Sequence, residues 1–175
     1  GNKPYVDTPR YQPALAFQPD VVVIKLGTND SKSENWRRKR GFIDDYIQLI
    51  NSFRNLESRP VVWICRPVPA FSEGKGINGR IVREEIIPRI EFVARQTGAP
   101  VIDLYTPLTN HPEFFPDNVH PNPDGATVMA KIIAEQLSTH RDAAPPVPAP
   151  VAPGPVADLV IWDDGPAYEI GRAHV

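Results

Sequence analysis

The amino-acid sequence predicts an α/β protein in which a parallel sheet lies between two layers of helices. Three short apolar runs rich in Val and Ile have the composition of strands buried on both faces: residues 20–26, 60–65 and 100–104. Three longer segments repeat apolar residues at three- and four-residue spacing, as amphipathic helices do: residues 41–56, 79–97 and 124–137. Because strands alternate with helices, right-handed crossovers give a parallel sheet with helices on both faces.

Glycine and proline mark where the predicted elements begin and end. Gly27 ends the first strand, and Gly98 is placed to cap the second helix at its carboxyl end. Within that helix, Pro88 predicts either a kink or the start of a new turn. Residues 1–19 are polar and Pro-rich, so we expect mostly loop there, with a short helical turn near residues 11–17.

The uneven distribution of proline predicts the domain organisation. Residues 1–142 read as one domain. Residues 143–157 contain six prolines in fifteen residues, which indicates an extended Pro/Ala-rich linker. Residues 158–175 are interpreted as the start of a further domain, and their last five residues as an expression-vector or sequencing remnant.

Charge and hydropathy argue against nucleic acid and membranes as partners. The formal net charge of the 175 residues is −2, with charges scattered along the chain. The basic run at residues 37–40 is interpreted as a solvated loop, the alternative being a contact with an anionic ligand. No stretch approaches the ~20 apolar residues of a membrane span. The sequence indicates no oligomeric state.

No pattern in the sequence predicts a metal or an organic cofactor. His111, His140 and His174 lack partners at metal-ligand spacing and are expected on the surface. No Gly-x-Gly-x-x-Gly follows a strand. Cys65 could be a thiol nucleophile, but within the run VVWIC it is interpreted as a core residue.

Asp117 and His120 form the first candidate catalytic pair. A carboxylate three residues before an imidazole, in a turn bounded by Pro116 and Pro121, can reach Nδ1 and leave Nε2 available as a base. The alternative is a surface turn in which Asp117 caps the loop and His120 is solvated. The position after the third strand favours function, because ligands bind at the carboxyl ends of parallel strands.

The run from Gly27 to Asp30 is the second candidate motif and directly follows the first strand. Gly27 permits a tight turn or a close backbone approach, and Asn29 offers side-chain N–H donors suited to an oxyanion hole. Asp30 is expected to support the loop by accepting backbone N–H bonds. The alternative is that these residues only form the turn and cap a helix.

Together, PDVVVIKLGTNDS and the later FFPDNVHPNPDGA resemble the SGNH (GDSL-type) hydrolase superfamily. Its third block, Gly-x-Asn-Asp, matches Gly27, Asn29 and Asp30, and its last block, Asp-x-x-His, matches Asp117 and His120. The resemblance implies a three-layer, flavodoxin-like α/β/α fold without its first strands. It makes Asn29 an oxyanion donor, His120 the general base and acid, and Asp117 its orienting carboxylate. The surroundings are most similar to bacterial members that act on sugar O-acyl esters.

The nucleophile that the resemblance implies is not found in this sequence. The first block should carry a serine within Gly-Asp-Ser, and no Gly-Asp-Ser occurs. Ser31 is the serine nearest to the motif but follows Asn29 in the same loop, so it is interpreted as a helix cap. We therefore expect residues 1–142 to be the C-terminal portion of a hydrolase domain whose first strands and serine lie upstream.

Three functions compete at this point. The first is a serine ester hydrolase that removes O-acyl groups, acetyl above all, from a small-molecule or polysaccharide ester. The second is a carbohydrate-binding or scaffold domain that kept the fold and lost its nucleophile. A small-molecule-binding regulator is the third, and it gives Asp117 and His120 no joint task. Trp36 and Phe71 could form a substrate platform or simply pack within loops. The linker favours a secreted or periplasmic protein.

Overall fold

A computed structural model of the protein describes residues 4–139, and the predicted linker and the segment 158–175 lie outside the described residues. Three parallel strands form one sheet in the order β1–β2–β3. They are β1 (Val21–Ile24), β2 (Val61–Arg66) and β3 (Val101–Asp103). Val21 lies opposite Val61, and Ile64 lies opposite Val101. The three predicted strands are confirmed.

Helices connect and flank the strands. They are α1 (Tyr11–Ala16), α2 (Ser33–Trp36), α3 (Phe42–Arg54), α4 (Gly79–Ile81), α5 (Ile87–Thr97) and α6 (Pro123–Thr139). Short 3₁₀ turns lie at Tyr5–Asp7, Asn29–Ser31, Thr106–Leu108 and Pro112–Phe114. The three long helices predicted from periodicity are all present.

Alternate residues of β2 face opposite sides of the sheet, so the protein has two cores. Val62 and Ile64 are buried under α3 and α5, where Ile90 is fully buried. Trp63 and Cys65 are buried on the other side, which α6 covers in part. This arrangement is the predicted three-layer α/β/α architecture. Burial raises the pKa of the Cys65 thiol to about 12, which fits a core residue and not a thiolate nucleophile.

β1 is less buried than its composition predicts. Val21 is 43% exposed, whereas Val22 is 3% exposed. Within residues 4–139, β1 pairs on one side only, with β2. A strand with one unpaired side loses the neighbour that would cover part of its side chains, which accounts for the difference.

The second predicted helix is interrupted shortly before Pro88. A π-helical turn, Val82–Ile86, separates α4 from α5, and Pro88 lies in the first turn of α5. Proline has no N–H for the bond to the carbonyl four residues earlier, so the wider turn accommodates the missing bond. Gly98 caps α5 in the left-handed conformation, with φ of 65°, as predicted.

Candidate active site

Asp117 and His120 are in direct contact in the loop between β3 and α6. Nδ1 of His120 lies 2.6 Å from Oδ2 of Asp117. Oδ1 accepts the backbone N–H groups of Val119, at 2.9 Å, and of His120, at 2.6 Å. Asn118 between them has φ of 66°, a left-handed conformation that asparagine tolerates better than most residues. The carboxylate thus holds the imidazole through Nδ1, on the side of the ring away from Nε2.

The Asp117–His120 pair is about half exposed, with 54% and 52% of the two side chains accessible. The hydrogen bond from the imidazole, reinforced by the backbone N–H of His120, lowers the pKa of the Asp117 carboxyl to about 2. The pKa is lower in the folded protein than the value of about 4 in an unfolded chain. The hydrogen bond therefore contributes fully to the stability of the fold above about pH 4. That contribution is lost as the pH falls from about 4 through about 2. Solvent screening keeps it small.

The Asp117 carboxyl should therefore titrate at about pH 2, as followed by the chemical shift of its carboxyl carbon in NMR. In His120→Ala the main hydrogen bond is removed, and the midpoint should rise toward the ordinary aspartate range. A midpoint near 4 in both proteins would show that the bond is not formed in solution.

The Gly27–Asp30 turn depends on glycine at its first position. Gly27 has φ of +119°, which side-chain-bearing residues rarely adopt. A Cβ at this position would lie 2.9 Å from Cγ2 of Ile86 in the π-helical turn. The expected close approach is therefore present, and it sets the turn directly against the π-helical turn Val82–Ile86.

The turn also buries its polar residues. Asn29 is 9% exposed and Asp30 is 3% exposed. The side-chain amide of Asn35, in α2, donates to the carbonyl of Asn29 at 2.9 Å. Sequence reasoning did not identify Asn35, because a side-chain bond to a backbone carbonyl six residues away leaves no periodic signal.

Ser31 is not a helix cap, contrary to prediction. Its hydroxyl is fully buried, donates to the carbonyl of Thr28 at 2.7 Å and accepts the backbone N–H of Asn78 at 2.9 Å. The N-terminus of α2 has no side-chain cap. Among residues 4–139, no serine hydroxyl hydrogen-bonds to the imidazole of His120.

The remaining candidates are either packed within the protein or exposed on its surface. Trp36 is buried, with its ring against Phe42 and under the guanidinium of Arg89, so its alternative of ordinary packing is the correct one. Phe71 is partly buried against Phe115. His111 is exposed as predicted, and so are the four basic residues at 37–40.

Neither a metal cluster nor a membrane-spanning helix is found within residues 4–139. No group of three or more His, Cys, Asp or Glu side chains there is arranged to hold a metal ion. No helix in the same range is long and apolar enough to cross a bilayer.

Both motif loops follow carboxyl ends of strands, and the loop after β2 connects them. We call residues 70–79 of that loop the bridging segment. Its Phe71 N–H donates to the carbonyl of Asn118 at 2.8 Å. At its other end, the N–H of Asn78 donates to Ser31, and the carbonyl of Lys75 accepts the N–H of Ser33 at 3.2 Å. The structure thus places the two motifs at one edge of the sheet.

Residues 1–128, which include both motifs, match the family described as GDSL-like lipase/acylhydrolase. The chain belongs to this family. The resemblance drawn from the two motifs is confirmed.

An acetylxylan esterase of Xylanibacter ruminicola is 40% identical to this chain. The aligned region covers 78% of the chain and 32% of the relative. The chain therefore spans about a third of that protein's length.

Two solved structures share the fold. A carbohydrate esterase family 3 protein from Talaromyces cellulolyticus superposes with a TM-score of 0.57 at 23% identity, over 75% of this chain and 63% of the other. A two-domain esterase active on acetylated mannans gives a TM-score of 0.54 at 22% identity, over 79% and 36% of the two chains. At these identities the likeness concerns the fold alone.

Proposed function

We propose that the full-length protein containing this chain is a serine ester hydrolase that removes O-acetyl groups from a carbohydrate. The observation that carries the proposal is the 2.6 Å contact between Nδ1 of His120 and the Asp117 carboxylate. It fixes the imidazole and leaves Nε2 as a proton acceptor. The names of the relatives, an acetylxylan esterase and an esterase active on acetylated mannans, support acetylated polysaccharide as the substrate.

The reaction we propose proceeds through an acyl-enzyme. His120 takes the proton of a serine hydroxyl as the serine oxygen attacks the ester carbonyl, and the charge on the carbonyl oxygen is stabilised by the Asn29 amide. His120 then gives the proton to the sugar oxygen as its bond to the acyl carbon breaks, and the sugar leaves as an alcohol. In the second half, His120 removes a proton from water, whose oxygen attacks the acyl-serine. It returns this proton to the serine oxygen as acetic acid leaves, and the acid then ionises to acetate. Asp117 stays ionised throughout.

The nucleophile in this proposal lies outside the 175 residues. The serine closest to the Asn29 turn, Ser31, has its proton engaged by the Thr28 carbonyl and is fully buried. We therefore expect residues 1–175 alone to be inactive on ester substrates, while the full-length protein is active.

Asn29→Ala should lower kcat of the full-length protein on a chromogenic acetate ester by about 10²–10³-fold, the typical effect of removing one oxyanion donor. Asn55→Ala is the matched control, because Asn55 is exposed and follows α3 at the opposite edge of the sheet. Its kcat should equal that of the wild type. Unchanged turnover in Asn29→Ala would contradict the oxyanion role. A full-length protein that cleaves no ester but binds the polysaccharide would favour a non-catalytic domain instead.

A further inference from the structure

The Ser31 hydroxyl connects the Gly27–Asp30 turn to the bridging segment. Among the hydrogen bonds described above, no other side chain bonds to both. This hydroxyl donates to Thr28 within the turn and accepts the N–H of Asn78 across 47 positions of sequence. The side chain has no solvent exposure. A buried hydroxyl with both bonds made resists displacement, because breaking either one leaves a buried polar group without a partner.

The bridging segment is itself held in shape by its own polar contacts. The Ser72 hydroxyl donates to the carbonyl of Ile77 at 2.7 Å, and the N–H of Gly79 donates to the carbonyl of Ser72 at 2.7 Å. Glu73 and Asn78 form an antiparallel bridge. The Asn78 side chain accepts the N–H of Ile81 at 3.1 Å and so caps α4. These contacts link the two ends of the segment to each other.

At its far end, the bridging segment contacts the turn that holds the catalytic pair. The N–H of Phe71 donates to the carbonyl of Asn118, the residue between Asp117 and His120 with the left-handed backbone. The ring of Phe71 also packs on Phe115, with centroids 5.4 Å apart. The path from Ser31 to the Asp117–His120 turn thus consists of hydrogen bonds, two of them made by the Ser31 and Ser72 hydroxyls, and one aromatic contact.

We propose that Ser31 is a positioning residue, which sets the separation between the Asn29 donor and His120 by fixing the bridging segment between their loops. The proposal rests on the proposed esterase function. Ser31 touches neither substrate nor the reacting atoms and acts through Asn29 and the bridging segment. Because misplacement of a reacting group by about 1 Å can cost about 10²-fold in rate, a bond that fixes this separation affects kcat more than substrate binding.

Ser31→Ala in the full-length protein should lower kcat on a chromogenic acetate ester by about 10- to 100-fold, with KM changed little. Ser33→Ala is the matched control. Ser33 is the first residue of α2, two positions after Ser31, and its exposed hydroxyl reaches only the Glu34 carboxylate, at 3.4 Å. This variant should behave as the wild type. Equal kcat in the two variants would overturn the proposal.

A double-mutant cycle separates positioning from general stability. If Ser31 acts through Asn29, Ser31→Ala should have a much smaller effect on kcat in an Asn29→Ala background than in the wild type. If Ser31→Ala lowered kcat by the same factor in the Asn29→Ala background as in the wild type, the positioning role would be overturned. If Ser31→Ala does not fold, Ser72→Ala loosens the bridging segment without touching the Gly27–Asp30 turn. It should lower kcat in the same direction, and an unchanged kcat would then overturn the proposal.

Amide hydrogen exchange gives a readout that is independent of activity. Exchange at the N–H of Asn78 should become faster in Ser31→Ala and stay unchanged in Ser33→Ala. Unchanged exchange at Asn78 would show that the Ser31 bond does not hold the segment. An esterase that needs His120 but tolerates Ser31→Ala refutes only the positioning role, whereas a wild-type protein without esterase activity refutes the proposed function.

Discussion

His120→Ala should lower kcat of the full-length protein on acetate esters by about 10⁴-fold or more, the loss typical of removing the base from a serine hydrolase. The reason is geometric. Asp117 holds Nδ1 at 2.6 Å and two backbone N–H groups hold Asp117, so the ring presents Nε2 from a fixed turn. The other histidine within residues 4–139, His111, lies outside the Asp-x-x-His motif, although its Nδ1 also pairs with a carboxylate. The measurement is steady-state hydrolysis of a chromogenic acetate ester.

His111→Ala is an unusually close control for this variant. His111 belongs to the same loop between β3 and α6 and also pairs Nδ1 with a carboxylate, that of Glu113, at 2.8 Å. Its ring stacks on Phe114, with centroids 5.2 Å apart. The variant should retain wild-type turnover. If both variants lost activity to the same extent, the loss would come from disturbing the loop and not from removing a base.

Gly79→Ala should cause the largest loss of stability among single alanine substitutions at the described glycines, about 3 kcal/mol. A Cβ at Gly79 would lie 1.9 Å from the backbone oxygen of Ala70 and 2.9 Å from its carbonyl carbon. Backbone cannot move aside as a flexible side chain can, so the two ends of the bridging segment must separate. Urea denaturation followed by circular dichroism measures the free energy of unfolding.

Gly76→Ala is the control, since Gly76 lies in the same segment with nothing within 4 Å of an added Cβ. Its free energy of unfolding should change by less than about 1 kcal/mol, in either direction. Similar losses in the two variants would mean that the close packing at Gly79 is not present in solution.

Strand and helix positions were predictable because burial leaves a local pattern in the sequence. The prediction failed where a side chain is buried but its backbone is not paired in the sheet. Leu26 is 9% exposed and was placed in the first strand, yet β1 ends at Ile24. An apolar residue reports that it is buried, not that its backbone is paired. The exposure of Val21 was missed for the related reason that composition does not reveal which side of a strand has a neighbour.

The contact between Asp117 and His120 was predictable because the two residues are three positions apart, so that a single turn brings them together. The role of Ser31 was predicted wrongly and Asn35 was not identified, because both side chains bond to backbone groups. One of these partners, Asn78, is distant in sequence. No residue-type pattern encodes such a bond. For Trp36 the error was in the other direction. Its position near the motif suggested a ligand-binding surface, but its ring packs against Phe42.

We propose that His120 activates a serine located outside these 175 residues. Covalent labelling of the full-length protein with a fluorophosphonate, followed by peptide mass mapping, tests it most directly. We predict a single labelled serine that is not among Ser31, Ser33, Ser52, Ser58, Ser72 and Ser138, with labelling strongly slowed in His120→Ala. Labelling of one of these six serines would contradict the location of the nucleophile outside these residues. Equal labelling of the wild type and His120→Ala would contradict its activation by His120.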